Sequence, residues 1–275
     1  MADEQESGPV PARDEPLSFD TSVAHMARVY NYWLGGKDNF AADRAAAEQA
    51  IAANPAILRD VRANRAYLAR AVRYLAAECG IRQFLDIGTG IPAANNTHEV
   101  AQLVAPESRV VYVDNDPVVL AHARALLTSD PLGATDYIEA DLRDTQPILD
   151  RAAQTLDFRR PVAVSLLAIL HLIPDDADPH GIVDMLMAAV PSGSYLVLSH
   201  PAGDIRAAEV AEMARRVNAR LGPTRGTMRD QAEVTRFFEG LELVEPGVVQ
   251  PQWWHPDGPV REAEIGVWCG VGRKS

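Results

Sequence analysis

The sequence predicts an α/β fold built around a largely parallel sheet. Short apolar runs alternate along the chain with segments of helical spacing, which is the pattern of repeated strand–helix units. The first of these runs is followed at once by Gly-x-Gly, a sequence typical of a strand-to-loop turn beside a nucleotide-like ligand. A length of 275 residues permits one such domain with an N-terminal extension.

The first 80 residues are expected to form a tail and a helical cover. Residues 1–17 are polar, acidic and interrupted by proline, which predicts a disordered tail. Apolar residues at helical spacing predict a first helix that stops at a Gly-Gly pair, a second at 41–53, and a third at 55–78. Residues 18–80 thus comprise the predicted cover and the first sheet-packing helix, and residues 81–275 comprise the core.

The core is predicted to contain seven strands with helices between them. Strands are expected at residues 83–88, 109–114, 136–140, 161–168, 194–199, 241–249 and 264–272. Helices are expected at residues 98–104, 117–127, 146–153, 179–189, 205–221 and 230–238. The carboxyl ends of parallel strands meet at one edge of a sheet, where ligands bind in open α/β folds. The residues after the first three strands are therefore the candidates for a binding site.

Composition argues against several classes of function. The formal net charge of −12 disfavours nucleic acid as a partner, because its binders usually carry a basic face. Cys79 and Cys269 stand alone in sequence, so neither a disulfide framework nor a metal site is expected. The chain shows neither a secretion signal nor a run of 18 apolar residues, which predicts a cytoplasmic protein that does not enter membranes.

Asp86, Gly88 and Gly90 mark the junction between the first strand and the loop that follows it. Glycines allow backbone amides and a ligand to approach closely, and the carboxylate of Asp86 suits a cationic amine. The dinucleotide fingerprint G-x-G-x-x-G requires a third glycine, and Ala93 stands at that position. This loop therefore disfavours a dinucleotide, although by itself it allows other nucleotide-like ligands.

The next two strands also end beside acidic residues. Asp114 ends the second strand, where a carboxylate can accept hydrogen bonds from both hydroxyls of a ribose. Asp116 precedes a proline, so we expect it to cap the following helix rather than bind a ligand. After the third strand, the Asp141 carboxylate and the Leu142 amide can recognise the amino group and a ring nitrogen of adenine.

These three segments, in this order and at these intervals, resemble motifs I, II and III of class I S-adenosylmethionine-dependent methyltransferases over about residues 80–200. Within that class, the segments 30–40, 86–92, 113–117 and 270–273 are similar to a bacterial S-adenosyl methyltransferase family first catalogued as a domain of unknown function. The narrower match covers nearly the whole chain beyond the tail. It implies a Rossmann-like class I methyltransferase fold, with a seven-stranded, mostly parallel sheet whose last strand is antiparallel.

The resemblance also implies S-adenosylmethionine as the cofactor. Its implied contacts are Asp86, Gly88 and Gly90 at the methionine end, Asp114 at the ribose, and Asp141 with Leu142 at the adenine. Thr89 and Asn115, in the same loops, complete this set of candidate cofactor residues.

The third helix has a polar residue in the middle of its apolar face. Asn64 lies at the centre of that face and Arg65 at its margin, and a buried polar side chain needs a partner. Asn64 lies roughly 22 Å before the end of the helix, whereas the first strand spans only about 16–20 Å. The helix should therefore extend past the sheet, so that Asn64 or Arg65 contacts the methionine carboxylate or the substrate.

Candidate substrate residues are Tyr30, Tyr32, Lys37 and Asn39 in the cover. Two aromatic rings can form a wall over the site, and Lys37 is one of only two lysines in a chain rich in arginine. The alternative is that the aromatic rings pack the cover onto the domain.

His171, after the fourth strand, is the candidate general base; the alternative is that it contributes only to the shape of the pocket. The Asn/Asp-Pro-Pro-aromatic run common in methyltransferases of amide groups is absent, which disfavours DNA, RNA-base and protein-glutamine acceptors. The leading hypothesis is methyl transfer to a small-molecule oxygen or nitrogen nucleophile. An NAD-dependent oxidoreductase and a non-catalytic S-adenosylmethionine-binding protein are the alternatives.

Overall fold

A seven-stranded sheet forms the centre of the protein. The computed structural model describes residues 20–126, 128–221, 225–260 and 263–275, so the predicted tail at 1–17 lies outside the described residues. The strands are β1 (Gln83–Ile87), β2 (Arg109–Asp114), β3 (Ala134–Glu139), β4 (Ala163–Leu167), β5 (Tyr195–Pro201), β6 (Glu242–Leu243) and β7 (Val267–Arg273). Their order in the sheet is β3-β2-β1-β4-β5-β7-β6.

The strands from β1 to β5 are parallel to one another, and β7 is antiparallel to both of its neighbours. The predicted Rossmann-like class I architecture, with seven strands and an antiparallel last strand, is confirmed. Because β1 lies between β2 and β4, the loops that follow these strands converge at one edge of the sheet.

Helices cover both faces of the sheet. They are α1 (Met26–Trp33), α2 (Ala41–Ala53), α3 (Ile57–Ala77), α4 (Thr97–Val104), α5 (Pro117–Leu126), α6 (Thr145–Ala152), α7 (Pro179–Ala188), α8 (Ala207–Asn218) and α9 (Gln231–Arg236). Short 3-10 helices occur at Leu170–Leu172, Asp175–Ala177 and Pro251–Trp253. Among the described residues, no helix combines the length and hydropathy needed to cross a membrane.

The core consists of two apolar layers separated by the sheet. All five residues of β1 are buried, as expected for a strand covered on both faces. Alternate residues point to opposite layers, so Phe84 packs with Tyr67 of α3 while Leu85 packs with the layer that contains Leu186 of α7. This packing fixes α3 against the sheet and thereby sets where its N-terminal half lies.

A third apolar cluster joins α1 and α2, which we call the cover, to α3 and α8. Val29 and Trp33 of α1 pack there with Ala46 of α2 and with Met213 and Val217 of α8. The cover is therefore held by a helix that lies more than 150 positions away in the sequence.

The prediction for the sixth strand was wrong in extent. A strand was expected at 241–249, but β6 comprises only Glu242–Leu243. Pro246 has no N–H to donate to a sheet ladder, and Gly247 turns the chain with a φ of +86°. Pairing resumes only as a single bridge between Val249 and Cys269.

Candidate functional site

A cavity of about 760 Å³ lies at the carboxyl ends of β1 to β4. We call it the polar cleft. Its walls include Asp86, Gly88, Thr89, Gly90, Asp114, Asn115, Asp141, Leu142, Asn64, Arg65 and residues of α1. All the residues predicted to bind the cofactor thus lie around one cavity, whose volume is within the range of ligand sites.

The loop after β1 has a left-handed backbone at two glycines, and the first of them is also crowded. Gly88 has a φ of +76°, and a Cβ atom there would lie 2.7 Å from Cγ1 of Ile169. Gly90 has a φ of +69° with open space around it, and its N–H donates to Asp114 Oδ2 at 2.8 Å. The loop is thereby bent so that it borders the cleft and is tied to the end of β2.

Asp86 is a buried carboxylate in the wall of the cleft. Burial raises its pKa to about 6, although a hydrogen bond from Thr97 and the charge of Arg65 oppose this rise. Thr97 Oγ1 donates to Asp86 Oδ2 at 2.6 Å. A carboxylate held in this way gains most from a ligand that brings a positive charge.

Asp114 and Asp116 have different hydrogen-bond partners, and Asp116 was predicted to cap a helix. Asp114 accepts from the backbone N–H groups of Gly90 and Asp116, and burial raises its pKa. Asp116 Oδ1 accepts from Val118 N at 2.9 Å at the start of α5, which confirms the predicted cap. Both carboxylates line the cleft, and Asp116 also faces the cover.

Asp141 lies in the loop after β3, which forms one end of the polar cleft. Its carboxylate accepts from Arg143 Nε at 2.8 Å and Nη2 at 2.6 Å, which lowers its pKa. Asn115 Nδ2 lies 3.5 Å from Asp141 Oδ2, and Leu142 beside it is buried. Asp141 and Leu142 together offer a hydrogen-bond acceptor next to an apolar surface.

The N-terminal half of α3 reaches the cleft, so Asn64 and Arg65 are both in its wall. Arg65 Nη2 donates to the carbonyl of Ala94 at 2.9 Å. Asn64 Nδ2 donates to the hydroxyl of Tyr30 at 3.0 Å, but its Oδ1 is buried without a hydrogen-bond partner. A buried acceptor of this kind is a candidate contact for a ligand.

A second cavity of about 70 Å³, which we call the apolar pocket, adjoins the polar cleft. Its wall is mostly apolar and comes mainly from the cover, α3, the loop after β4, α8 and the segment between α8 and α9. It includes Met26, Trp33, Ile57, Val61, Val210, Met213, Val217 and Met228. Residues common to the two cavities are Met26, Tyr30, Asn64, Ala168, His171, Leu172 and Leu221. The two cavities therefore share one wall.

His171 is part of that shared wall, in the 3-10 helix that follows β4. Burial, with the nearby His200 and Arg229, lowers its pKa to about 3, so the imidazole is neutral near pH 7. Within the described residues its Nδ1 has no hydrogen-bond partner. The structure thus places the predicted candidate base at the junction, as an uncharged ring.

Arg229, which sequence reasoning missed, holds the backbone around His171. Its guanidinium donates to the carbonyls of Leu170 and Ile173, both at 3.1 Å, and lies 2.9 Å from His200 Nε2. An arginine can only donate, so His200 accepts at Nε2 and its Nδ1–H donates to the carbonyl of Pro201. No sequence motif distinguishes Arg229 from the many other arginines of the chain.

Three of the predicted substrate residues do not line either cavity. The hydroxyl of Tyr32 is bonded to Glu48 of α2, and Lys37 is exposed in the turn after α1. Asn39 is buried, and its amide donates to Asn31 Oδ1 of α1 at 2.9 Å. Only Tyr30 of the four reaches the cavities, because it is on the inner face of α1.

Comparison with known proteins finds similarity to one family over nearly the whole chain. A family model described as S-adenosyl methyltransferase matches residues 12–275. A DUF574 family protein from Streptomyces avermitilis is 50% identical with a TM-score of 0.89, covering 93% of this chain and 99% of that chain. A protein from Thermobifida fusca described as a candidate methyltransferase is 42% identical with a TM-score of 0.85, covering 93% and 96%. No curated protein matches.

Proposed function

Because the chain belongs to the S-adenosyl methyltransferase family, we propose that it methylates an oxygen or nitrogen atom of a small molecule held in the apolar pocket. The chain is an S-adenosylmethionine-dependent methyltransferase, and the proposal concerns its acceptor. The observation that carries it is the wall shared by the polar cleft and the apolar pocket. A donor in one cavity and an acceptor in the other would meet at that wall.

The polar cleft fits S-adenosylmethionine, which supplies an activated methyl group on a sulfonium. Asp86 is a buried carboxylate suited to the methionine ammonium, and Asp114 retains free acceptor positions for ribose hydroxyls. Asp141 and the buried Leu142 would face the adenine. Arg65 would attract the methionine carboxylate, since its charge lies near Asp86.

The apolar pocket favours a small acceptor. Its aliphatic and thioether side chains offer apolar surface to a molecule that loses its water on entry, and methionine side chains adapt to ligands of different shape. The acidic net charge opposes the approach of a polyanion. In methyl transfer the protein mainly has to align the reacting atoms in a site that excludes water.

The proposal is tested in two stages. First, calorimetry should detect binding of S-adenosylmethionine and S-adenosylhomocysteine but not of NAD. Second, pools of small alcohols, phenols and amines should be screened for formation of S-adenosylhomocysteine. If a protein that binds the cofactor methylates no member of such pools but does methylate a macromolecule, the acceptor assignment is wrong.

A variant that fills the apolar pocket tests where the acceptor lies. Ala214 borders the pocket from α8, whereas Ala211 on the same helix is exposed and borders neither cavity. We expect Ala214→Trp to raise the KM for the acceptor about tenfold or more while cofactor affinity stays unchanged, because added volume displaces the ligand. Ala211→Trp is the matched control, and equal kinetics in the two variants would contradict the proposal.

A further inference from the structure

The polar side chains on the apolar pocket are nearly all satisfied by partners within the protein. The satisfied groups are the indole of Trp33, the phenol of Tyr30, the amides of Asn54 and Asn218, and the carboxylate of Asp60. Each of these belongs to the framework of the pocket and needs nothing from a ligand.

Two polar side chains on the pocket are exceptions within the described residues. Asn64 Oδ1 and His171 Nδ1 are buried and have no hydrogen-bond partner, and each residue is only 6% exposed. Both residues also border the polar cleft. The unpartnered polar atoms of the pocket therefore lie together at the wall where the methyl acceptor would meet the methyl donor.

The orientation of the Asn64 amide is fixed by its neighbour. The hydroxyl of Tyr30 donates its one hydrogen to the carbonyl of Val61 at 3.2 Å. The oxygen of Tyr30 must then accept from Asn64 Nδ2, which lies 3.0 Å away. Oδ1 is consequently the free atom, and it can only accept a hydrogen bond.

The pocket offers no free charge. The carboxylate of Asp60 is paired with Arg206 and accepts from the N–H of Gly266 at 3.0 Å. No other acidic or basic side chain, apart from the neutral His171, lies in the described wall of the pocket. An ion that entered would lose its hydration without gaining a partner, which is strongly unfavourable.

We propose that the acceptor is an uncharged, largely apolar molecule whose reacting hydroxyl or amino group is held by Asn64 and His171. This inference rests on the proposed function, since it assumes that the apolar pocket holds the acceptor. The group donates a hydrogen bond to Asn64 Oδ1, and its reacting atom lies beside the imidazole of His171. His171 is then a catalytic residue and Asn64 a binding residue that orients the acceptor.

The methyl transfer can be written with its atoms and electrons in balance. The acceptor's oxygen or nitrogen forms a bond to the methyl carbon, and the electron pair of the broken carbon–sulfur bond stays on sulfur. A hydroxyl has one hydrogen, which moves from Asn64 Oδ1 to the free lone pair of the His171 imidazole as the new bond forms. An amino group has two hydrogens, so one stays on Asn64 while the other passes to the imidazole. The imidazole then releases the proton to water. Arg229 positions the ring by holding the backbone on both sides of His171.

The test compares binding of four probes that share one ring and one methyl group. They are toluene, p-cresol, p-toluidine and p-toluate, measured by ligand-observed NMR on the full protein saturated with S-adenosylhomocysteine. We expect p-cresol and p-toluidine to bind at least about fivefold more tightly than toluene, because the hydroxyl donates one hydrogen bond to Asn64 and the amino group donates one to each residue. The anion p-toluate should bind more weakly than toluene.

Two variants assign that preference to the two residues. In Asn64→Leu and in His171→Phe, toluene should bind as in the wild type, which also shows that the pocket is intact. In Asn64→Leu the preference for p-cresol over toluene should fall below about twofold, and in His171→Phe the preference for p-toluidine over toluene should fall to about half of its wild-type value or less. Asn54→Leu removes a satisfied amide from the same pocket and should keep the preference.

The outcomes separate this inference from the proposed function. Equal binding of p-cresol and toluene, tight binding of p-toluate, or an unchanged preference in both variants would overturn the inference while the pocket remained an acceptor site. If toluene itself does not bind to the wild-type protein, the pocket is not an acceptor site and both proposals are wrong.

Discussion

His25 Nδ1 lies 3.0 Å from Asp116 Oδ2, so the residue that precedes α1 is paired with the carboxylate that caps α5. Arg28 Nε lies 3.4 Å from the same oxygen and 3.4 Å from Asp43 Oδ1. These contacts join both helices of the cover to the loop after β2, beside Asp114 in the polar cleft. This network ties the cover to the wall of the polar cleft.

The first prediction concerns the pH dependence of that network. Burial lowers the pKa of His25, but the hydrogen bond and charge of Asp116, with the charge of Asp114, outweigh burial and raise it. A raised pKa stabilises the fold fully below the unfolded value of about 6.5, and this stabilisation is lost as pH rises through the folded value.

We therefore expect the thermal midpoint to fall as pH rises from about 7, where Asp86 is already mostly ionised, to about 8.5, a trend that His25→Gln should largely remove. Differential scanning fluorimetry measures both proteins. His122→Gln, at a histidine outside the polar cleft, is the control. A His25→Gln protein with the full wild-type trend would show that the ion pair does not carry it.

The second prediction concerns cofactor affinity and Asp86. Its pKa of about 6 means that the carboxylate becomes protonated as pH falls through that value, so it no longer attracts an ammonium. Affinity for S-adenosylmethionine, measured by calorimetry, should decline below about pH 6. Thr97→Val removes the hydrogen bond that lowers this pKa and should move the decline to higher pH. Thr235→Val on the exposed face of α9 should not move it.

The third prediction separates the two glycines of the loop after β1. Gly88→Ala introduces a left-handed non-glycine residue and also a clash with Ile169, whereas Gly90→Ala introduces only the first. We expect losses in unfolding free energy of about 2–4 kcal/mol for Gly88→Ala and about 1 kcal/mol for Gly90→Ala. Urea titration measures both; equal losses would contradict the crowding seen at Ile169.

The fourth prediction concerns Arg229. Arg229→Met leaves the carbonyls of Leu170 and Ile173 and the ring of His200 without their donor, which should cost about 3 kcal/mol or more. Asp175→Asn removes only the negative charge that pairs with Arg229 at the surface. Because the Asp175 side chain is 77% exposed, this change should cost less than about 1 kcal/mol. Denaturant unfolding of the two variants checks this difference. Similar losses would mean that the ion pair, rather than the buried carbonyl contacts, makes Arg229 important.

The sequence predicted the polar cleft better than the apolar pocket. The cleft follows from strand ends, where local sequence determines which residues meet, and the position of Asn64 followed from helix geometry alone. The apolar pocket joins Met26, Met213 and Met228, which are ordinary apolar residues until tertiary packing brings their elements together. Lys37 lies outside both cavities, and its rarity in the sequence could not indicate the direction of a surface turn.

The division of the site between two kinds of structural element has an evolutionary consequence. The polar cleft is built mainly from loops fixed by the buried sheet, whereas the apolar pocket depends on the cover and α8, which pack mainly against one another. Side chains on α8 and α1 can therefore be exchanged without disturbing the strands. Under the proposed function, relatives with one inherited donor site can diverge toward different acceptors through changes on those two helices.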